Sequence, residues 1–507
     1  MLAYIGRRIS ALLVILLGST FILFNLAAIS GDPTQGLRGS TDPHAKALLA
    51  ALIRNLHLNV PPPVRYFVWL KGIIVGNFGT TNDGNPVSTY LASALPTTIR
   101  LIFLSTIFAI VLGVAFGIIS ALRQYSRFDY ALTLFAFLMF SLPVFWVAVL
   151  LKQYMAIGFN NFLAAGKISF IWLLGASLVS AIFWGSVISG TRKRFWMTFG
   201  VALVSTAAVL ELINVIHWFD DPGLGIALVT LFGVGIALGT TFLSTGLANK
   251  SALNSSLAMA AIGTALYYPD QYLFSHFAGF GTLLLMAVVT AAMAVVVGLF
   301  FAKVDRGPAI RTSVISALLI GLLITVDRLM QTWKPYVATD AVNGRPIPTL
   351  SQSNSLLPTG NFWMSFLDAL LHLLLPTIAL TLISFAGYIR YSRGTLLEVM
   401  TQDYIRTARA KGLPERTVIM RHAFRNTLIP LTTIVVVDFA GIVGGAIITE
   451  RVFGWQGMGT IFNRAVSSYD LNLLMGFLLI TSSLVVIANL VADLLYAALD
   501  PRIRVVG

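Results

Sequence analysis

Long, nearly uninterrupted apolar runs dominate the chain. A helix crossing hydrocarbon needs about 20 largely apolar residues, because it rises 1.5 Å per residue across a core about 30 Å thick. Runs of that kind lie at about 9–29, 98–122, 131–157, 168–190, 196–216, 224–246, 254–269, 281–302, 312–330, 370–392, 428–449 and 474–497. They are continuous rather than alternating, so the pattern predicts helices and not a transmembrane barrel. The expected fold is an all-α polytopic membrane protein with about twelve transmembrane helices. The weakest run, 254–269, is short and ends at Tyr267-Tyr268-Pro269. The first run follows Arg7 and Arg8 and exceeds the roughly 7–15 apolar residues of a signal peptide, so it is expected to stay as an anchor.

Composition agrees with this class. The hydrophobic set makes up 57% of the 507 residues and charged residues only 11%, against about 25% in soluble domains. A soluble enzyme, a disordered tail and a nucleic-acid-binding domain are therefore excluded. The net charge of +14 then has to be explained by topology. With twelve spans and the N-terminus inside, 21 of the 34 basic residues fall on inner segments and ten on outer ones. Five of those ten lie in the long outer loop 30–97, where the rule is weak, so both termini are expected in the cytoplasm. The absence of cysteine excludes disulfides and thiolate chemistry.

The densest basic segment is the inner loop 393–427, which runs on to Pro430. Its first helix is expected around Tyr404–Lys411. Gly412 then supplies a stop that tolerates positive φ, and Pro414 opens a second helix over about 415–426. Two readings of the residues stand side by side: a basic loop that meets anionic lipid, or two short helices held at an angle as a rigid docking element.

The segment DYIRTARAKGLPERTVIMRHAFRNTLIP resembles the coupling loop of permease subunits in ABC importers, closest to the oligopeptide/dipeptide permease B-type branch. Other pieces match in order: the start through Gly31-Asp32-Pro33, Val64–Leu70 with Gly76-Asn77-Phe78-Gly79, and Leu95-Pro96-Thr97-Thr98. Ser141–Trp146, Gly444-Gly445-Ala446 with Glu450–Phe453, and Leu499–Arg502 follow. Two departures are visible. Arg406-Thr407-Ala408 stands where the generic loop has Glu-Ala-Ala, and Gln456-Gly457 stands where Pro-Gly is usual after the fifth helix.

The resemblance implies a six-helix importer-type core formed by 1–157 and 356–507, split by an inserted segment, 158–355, with six further helices of unknown role. It implies a subunit that forms half of a translocation pathway for peptides or similar small solutes. The implied partners are a second homologous permease, two cytoplasmic ATPases that use ATP and Mg, and an extracytoplasmic binding protein. Membrane lipid completes the set, and no nucleic acid is expected. The implied location is the inner membrane of a prokaryote. Arg406, Ala408, Arg409, Ala410, Gly412 and Leu413 are the residues implied to couple to the ATPase.

The chain has no phosphate loop of its own, and its six histidines are not spaced as metal ligands, so no catalytic or metal site is expected. Asp438 is the clearest ionisable residue inside a core span, with pathway lining and an interhelical hydrogen bond as its two readings. The alternative function is an ion-coupled secondary transporter, which shares the count of twelve but would show two matching halves. The halves here do not match.

Overall fold

The computed structural model describes residues 2–38, 44–188, 191–302 and 306–499. Helices account for nearly all regular structure, and no strand is present among the described residues. The reason is general: hydrocarbon offers no partner to a backbone N–H or C=O, so each apolar run satisfies its own.

In chain order the helices begin with α1 (Leu2–Ser30), α2 (Gln35–Arg38), α3 (Ala45–Asn55), α4 (Pro62–Ile74), α5 (Val87–Leu122), α6 (Arg127–Ser141) and α7 (Val144–Leu151). A π-helical segment, Lys152–Gly158, leads into α8 (Phe159–Ala165). Next come α9 (Phe170–Ile188), α10 (Arg192–Val215), α11 (Gly225–Ser244), α12 (Lys250–His276), α13 (Phe280–Phe301) and α14 (Arg306–Val337). The last group is α15 (Phe362–Met400), α16 (Asp403–Ala410), α17 (Glu415–Thr417), a second π segment (Val418–Ala423), α18 (Phe424–Phe453), α19 (Met458–Ser467) and α20 (Leu471–Leu499).

All twelve predicted runs fall on helices, but their character varies. Among the described residues, nine helices are long and apolar enough to cross a membrane, or ten if one bent pair forms a single span. That pair corrects the continuous run expected at 131–157. It is α6 followed by Val144–Ala165, bent by 104°. Pro143 donates no backbone N–H and disfavours a helical Leu142, which sits at φ −84°, ψ 130°. The run at 254–269 is also corrected, because α12 passes through Pro269 and ends at His276. In the other direction, α5 starts at Val87 rather than 98, so Leu95-Pro96-Thr97-Thr98 is helical and not part of a loop.

The chain divides into two compact units. One comprises Met1–Ala156, Thr349–Gln352 and His372–Gly507; the other comprises Ile157–Pro348 and Ser353–Leu371. Within the first, Val87, Leu91 and Ala94 of α5 pack with Met458, Ile461 and Ala465 of α19 and with Leu473 and Phe477 of α20. The helices α5 and α15 approach closely through glycine. A Cβ on Gly113 would lie 2.4 Å from the Cβ of Tyr388, and one on Gly117 would strike Ser392. The Ser392 hydroxyl donates to the Gly113 carbonyl at 3.3 Å. In contrast, Gly235 and Gly239 face open space, and the side-chain surroundings of 441–445 lie outside the described residues.

Within the second unit, Val229, Ala237, Ala260, Tyr267, Ile320 and Ile324 form the main cluster, closed by Phe274 and Trp363. Asp327 is fully buried there. Its carboxylate accepts from the backbone N–H groups of Leu224 (2.6 Å) and Gly225 (3.2 Å) at the start of α11. It also accepts from the Tyr267 hydroxyl (2.6 Å) and the Gln331 amide (2.9 Å).

Candidate coupling surface

The helix α16 ends in a closed turn. The N–H of Gly412 donates to the Arg409 carbonyl at 2.9 Å, and that of Leu413 donates to the Ala408 carbonyl at 3.4 Å. This pair of bonds is the Schellman arrangement, and it needs a left-handed residue at its first position. Gly412 fills it at φ +75°, as its place in the sequence predicts. Pro414 then sits as the N-cap of α17, one residue ahead of the helix proper. Across the turn the Arg409 guanidinium donates twice to Glu415, at 2.7 and 3.2 Å. That hydrogen bond holds the exposed Glu415 carboxyl below its ordinary value of 4.5.

The second half of the loop differs from expectation. A separate helix over about 415–426 is predicted, yet α17, the π segment Val418–Ala423 and α18 follow one another without a break. The first half differs too, since residues 393–400 still belong to α15. The exposed connection is therefore 401–417, and its far end is rigidly joined to the helix that carries Asp438 and Glu450.

Of the six predicted coupling residues, five share the outer surface: Arg406, Arg409, Ala410, Gly412 and Leu413 are all exposed. Ala408 points the other way. With Ile405 it is buried against Ala121, Leu396, Val418 and Ala423. The period of a helix puts 405 and 408 one turn apart on the buried side, while 406 points away from them and 409 sits at the edge of that side, where its long side chain reaches out to Glu415. Ala408 thus seats the helix, while Arg406, Arg409 and Ala410 on α16 and Gly412 and Leu413 in the turn after it face outward. The base of this element is tied down by Arg393, whose guanidinium donates to both oxygens of Asp129 at 2.9 and 3.0 Å. The Ser120 hydroxyl and the Tyr125 N–H donate to the same carboxylate, so the end of α5, the start of α6 and α15 meet at one point. Nothing in the spacing of these residues announces that node.

Asp438 is half-buried on α18. Its polar neighbour is the hydroxyl of the fully buried Tyr388.

A second arrangement went unforeseen. The fully buried Glu450, near the end of α18, accepts from the Thr98 hydroxyl at 2.5 Å and from the Gly459 N–H at 2.7 Å. Thr98 in turn accepts from the N–H of Met458 at 2.8 Å. The start of α19 is thereby capped from two other helices. A Cβ on Gly457 would fall 2.3 Å from the Glu450 carboxylate, and one on Gly459 would fall 2.4 Å from the Cα of Ile447. The motifs around Thr98 and Glu450 were visible one by one; their meeting was not.

Residues 312–505 match the family described as binding-protein-dependent transport system inner membrane component. The match begins inside the segment 158–355. The chain is also 24% identical over 505 residues to the oligopeptide transport system permease protein OppB of Mycobacterium tuberculosis (strain ATCC 25618 / H37Rv), covering 100% of both chains. The oligopeptide permease AppB of Bacillus subtilis (strain 168) is 24% identical over 508 residues, covering 99% of this chain and 100% of that one. The dipeptide permease DppB of Escherichia coli (strain K12) is 41% identical over 140 residues, which are 28% of this chain and 41% of that one. Over residues 312–505 the chain carries the domain of this family of inner-membrane transport components. It is a multi-pass permease subunit of an ABC importer, a class that works with ATPase and binding-protein partners and is not itself enzymatic. The relatives do not favour the secondary-transporter alternative.

Proposed function

We propose that this permease forms half of a translocation pathway for peptides or similar small solutes, and that the outward face of α16 receives the push of a cytoplasmic ATPase. The observation that carries the reading is the unbroken run from the Gly412 turn through α17 and the π segment into α18. A force on Arg406, Arg409 or Leu413 is then delivered to a pathway helix without passing through a flexible joint. The names of the relatives support peptides as cargo. The basic excess on the inner segments supports both termini in the cytoplasm of a prokaryotic cell.

The complex would pair this chain with a second, homologous permease and two ATPases that bind ATP and Mg. An extracytoplasmic binding protein would deliver the solute. Asp438 would line the pathway, where its carboxylate could attract a cationic peptide N-terminus. Residues 158–355 are read as an insertion into a six-helix core. Two observations support this: the boundaries of the second compact unit, and an aligned stretch that is a smaller share of this chain than of the Escherichia coli protein.

The test is Gly412→Asp, or deletion of 406–413, in the reconstituted complex. Either change should abolish peptide uptake and the stimulation of ATP hydrolysis while the subunits still co-purify through their membrane contacts. Uptake that survives either change removes the coupling assignment.

A further inference from the structure

A cleft of about 720 Å³ opens beside the end of α1, along α4 and beside the start of α20, all within the first unit. It lies where two apolar spans end, so it sits at the level of lipid headgroups. Three guanidinium groups line it: Arg38, Arg54 and Arg65. Among the described residues, Asp32 is the one acid in the lining, and it is already paired with Arg38 at 3.3 Å.

Two of the polar groups are out of place by ordinary rules. Arg65 is 8% exposed and Trp69 7% exposed, yet the Nε of Arg65 and the Nε1 of Trp69 have no hydrogen-bond partner among the described residues. Unmade hydrogen bonds on buried donors are costly, and native structures rarely leave them. Burial also pushes the Arg65 guanidinium below its ordinary value, with no carboxylate to offset it. Arg65 does find packing, 5.7 Å over the ring of Phe24, which also lines the cleft. Arginine and tryptophan side chains only donate, so the missing occupant must be an acceptor, and with Arg38 paired to Asp32 the two remaining guanidinium charges favour an anion.

The same helix indicates where that anion comes from. While Arg65, Tyr66 and Trp69 are buried, Val64, Phe67, Val68 and Ile74 on α4 and Val75 just after it are exposed. Leu26 and Ile29, at the end of α1, are 61% and 76% exposed. An amphipathic helix with bare apolar residues beside a basic cleft at the membrane boundary is suited to lie in the interface, with acyl chains along one face and a headgroup on the other. We propose that this cleft holds the phosphate of an anionic phospholipid, with Arg65, Trp69 and Arg54 as its donors and α4 as the bed for its acyl chains.

The experiment uses the full chain in nanodiscs doped with a diazirine-bearing phosphatidylglycerol, with labelled peptides read by mass spectrometry. Label should concentrate on peptides from 24–33 and 54–75, and unlabelled phosphatidylglycerol should compete it away while phosphatidylcholine does not. Arg54→Gln changes an exposed residue and should fold normally; it should lower labelling about fivefold, as expected for one basic side chain at an anionic surface. Arg65→Gln should lower it further, with Arg54→Gln keeping the test decisive if that variant misfolds. Equal competition by phosphatidylcholine, or unchanged labelling in Arg54→Gln, overturns the proposal. Competition by inorganic phosphate as effective as that by the lipid overturns the lipid as source. Displacement of the label by the binding protein, with loss of its docking in Arg54→Gln, assigns the cleft to an acidic protein side chain and overturns it too.

Discussion

Glu450 in the first unit and Asp327 in the second are both fully buried carboxylates that accept from the first backbone N–H groups of another helix and from a hydroxyl. The device is the same: orphan donors at a helix start are satisfied by a side chain reaching in from elsewhere. The surroundings differ. Glu450 ends α18, the helix continuous with the coupling turn, and its partner Thr98 is 352 positions away. Asp327 joins α14 to α11 and α12, neighbours at most 103 positions away in the same unit. An identical local arrangement thus ties α19 to the helix that follows the Gly412 turn in one place and holds a helical cluster together in the other.

The comparison can be broken by experiment. Glu450→Ala has the largest expected effect. It removes two hydrogen bonds to a carboxylate, a loss of roughly 3 kcal/mol or more, and frees the start of α19. Thermal unfolding in detergent should shift down and uptake should vanish. Normal uptake in a folded Glu450→Ala protein would show that the cap is unrelated to transport. Asp327→Ala should cost a similar amount of stability, about 3 kcal/mol. Uptake per folded complex should nevertheless be unchanged, and its loss at normal abundance would make the second unit part of the transport cycle.

The smallest effect belongs to the exposed pair across the Gly412 turn. Arg409→Gln should cost under about 1 kcal/mol, because both partners are solvated and screened by salt. Its sign with pH is fixed. The Glu415 carboxyl is held below its ordinary value of 4.5, so its contribution is present above that value and fades as pH falls through the lowered one. The protection factors of the Gly412 and Leu413 amides, corrected for the intrinsic slowing of exchange in acid, should fall in the wild type as Glu415 protonates, and Arg409→Gln should show the lower protection already at neutral pH.

Much of the coupling element was legible in the sequence. Gly412 between good helix formers and Pro414 describes a helix, a left-handed residue and a restart, and the structure has all three. Legibility ended at the side chains. Ala408 belonged to the motif, yet it faces the core, because the motif does not say which side of a short helix meets its own protein. Residues 131–157 read as one apolar run although Leu142-Pro143 carried the signal for a break, since average hydropathy is blind to a single missing N–H. The Arg393–Asp129 node and the Glu450–Thr98 contact left no trace in local pattern.

The sequence by itself determined the class of molecule, the rough location of its apolar helices and the conformation of the Gly412 turn. Each depends on free energies that add up locally: transfer of side chains into hydrocarbon, hydrogen bonds within one helix, and the φ range open to glycine. Only the tertiary structure decided which charges are buried, which helix start each one caps, and which face of α16 is left outward. Those outcomes depend on atoms brought to within about 3 Å from helices far apart in the chain, and hydrogen bonding of that kind is geometric rather than compositional.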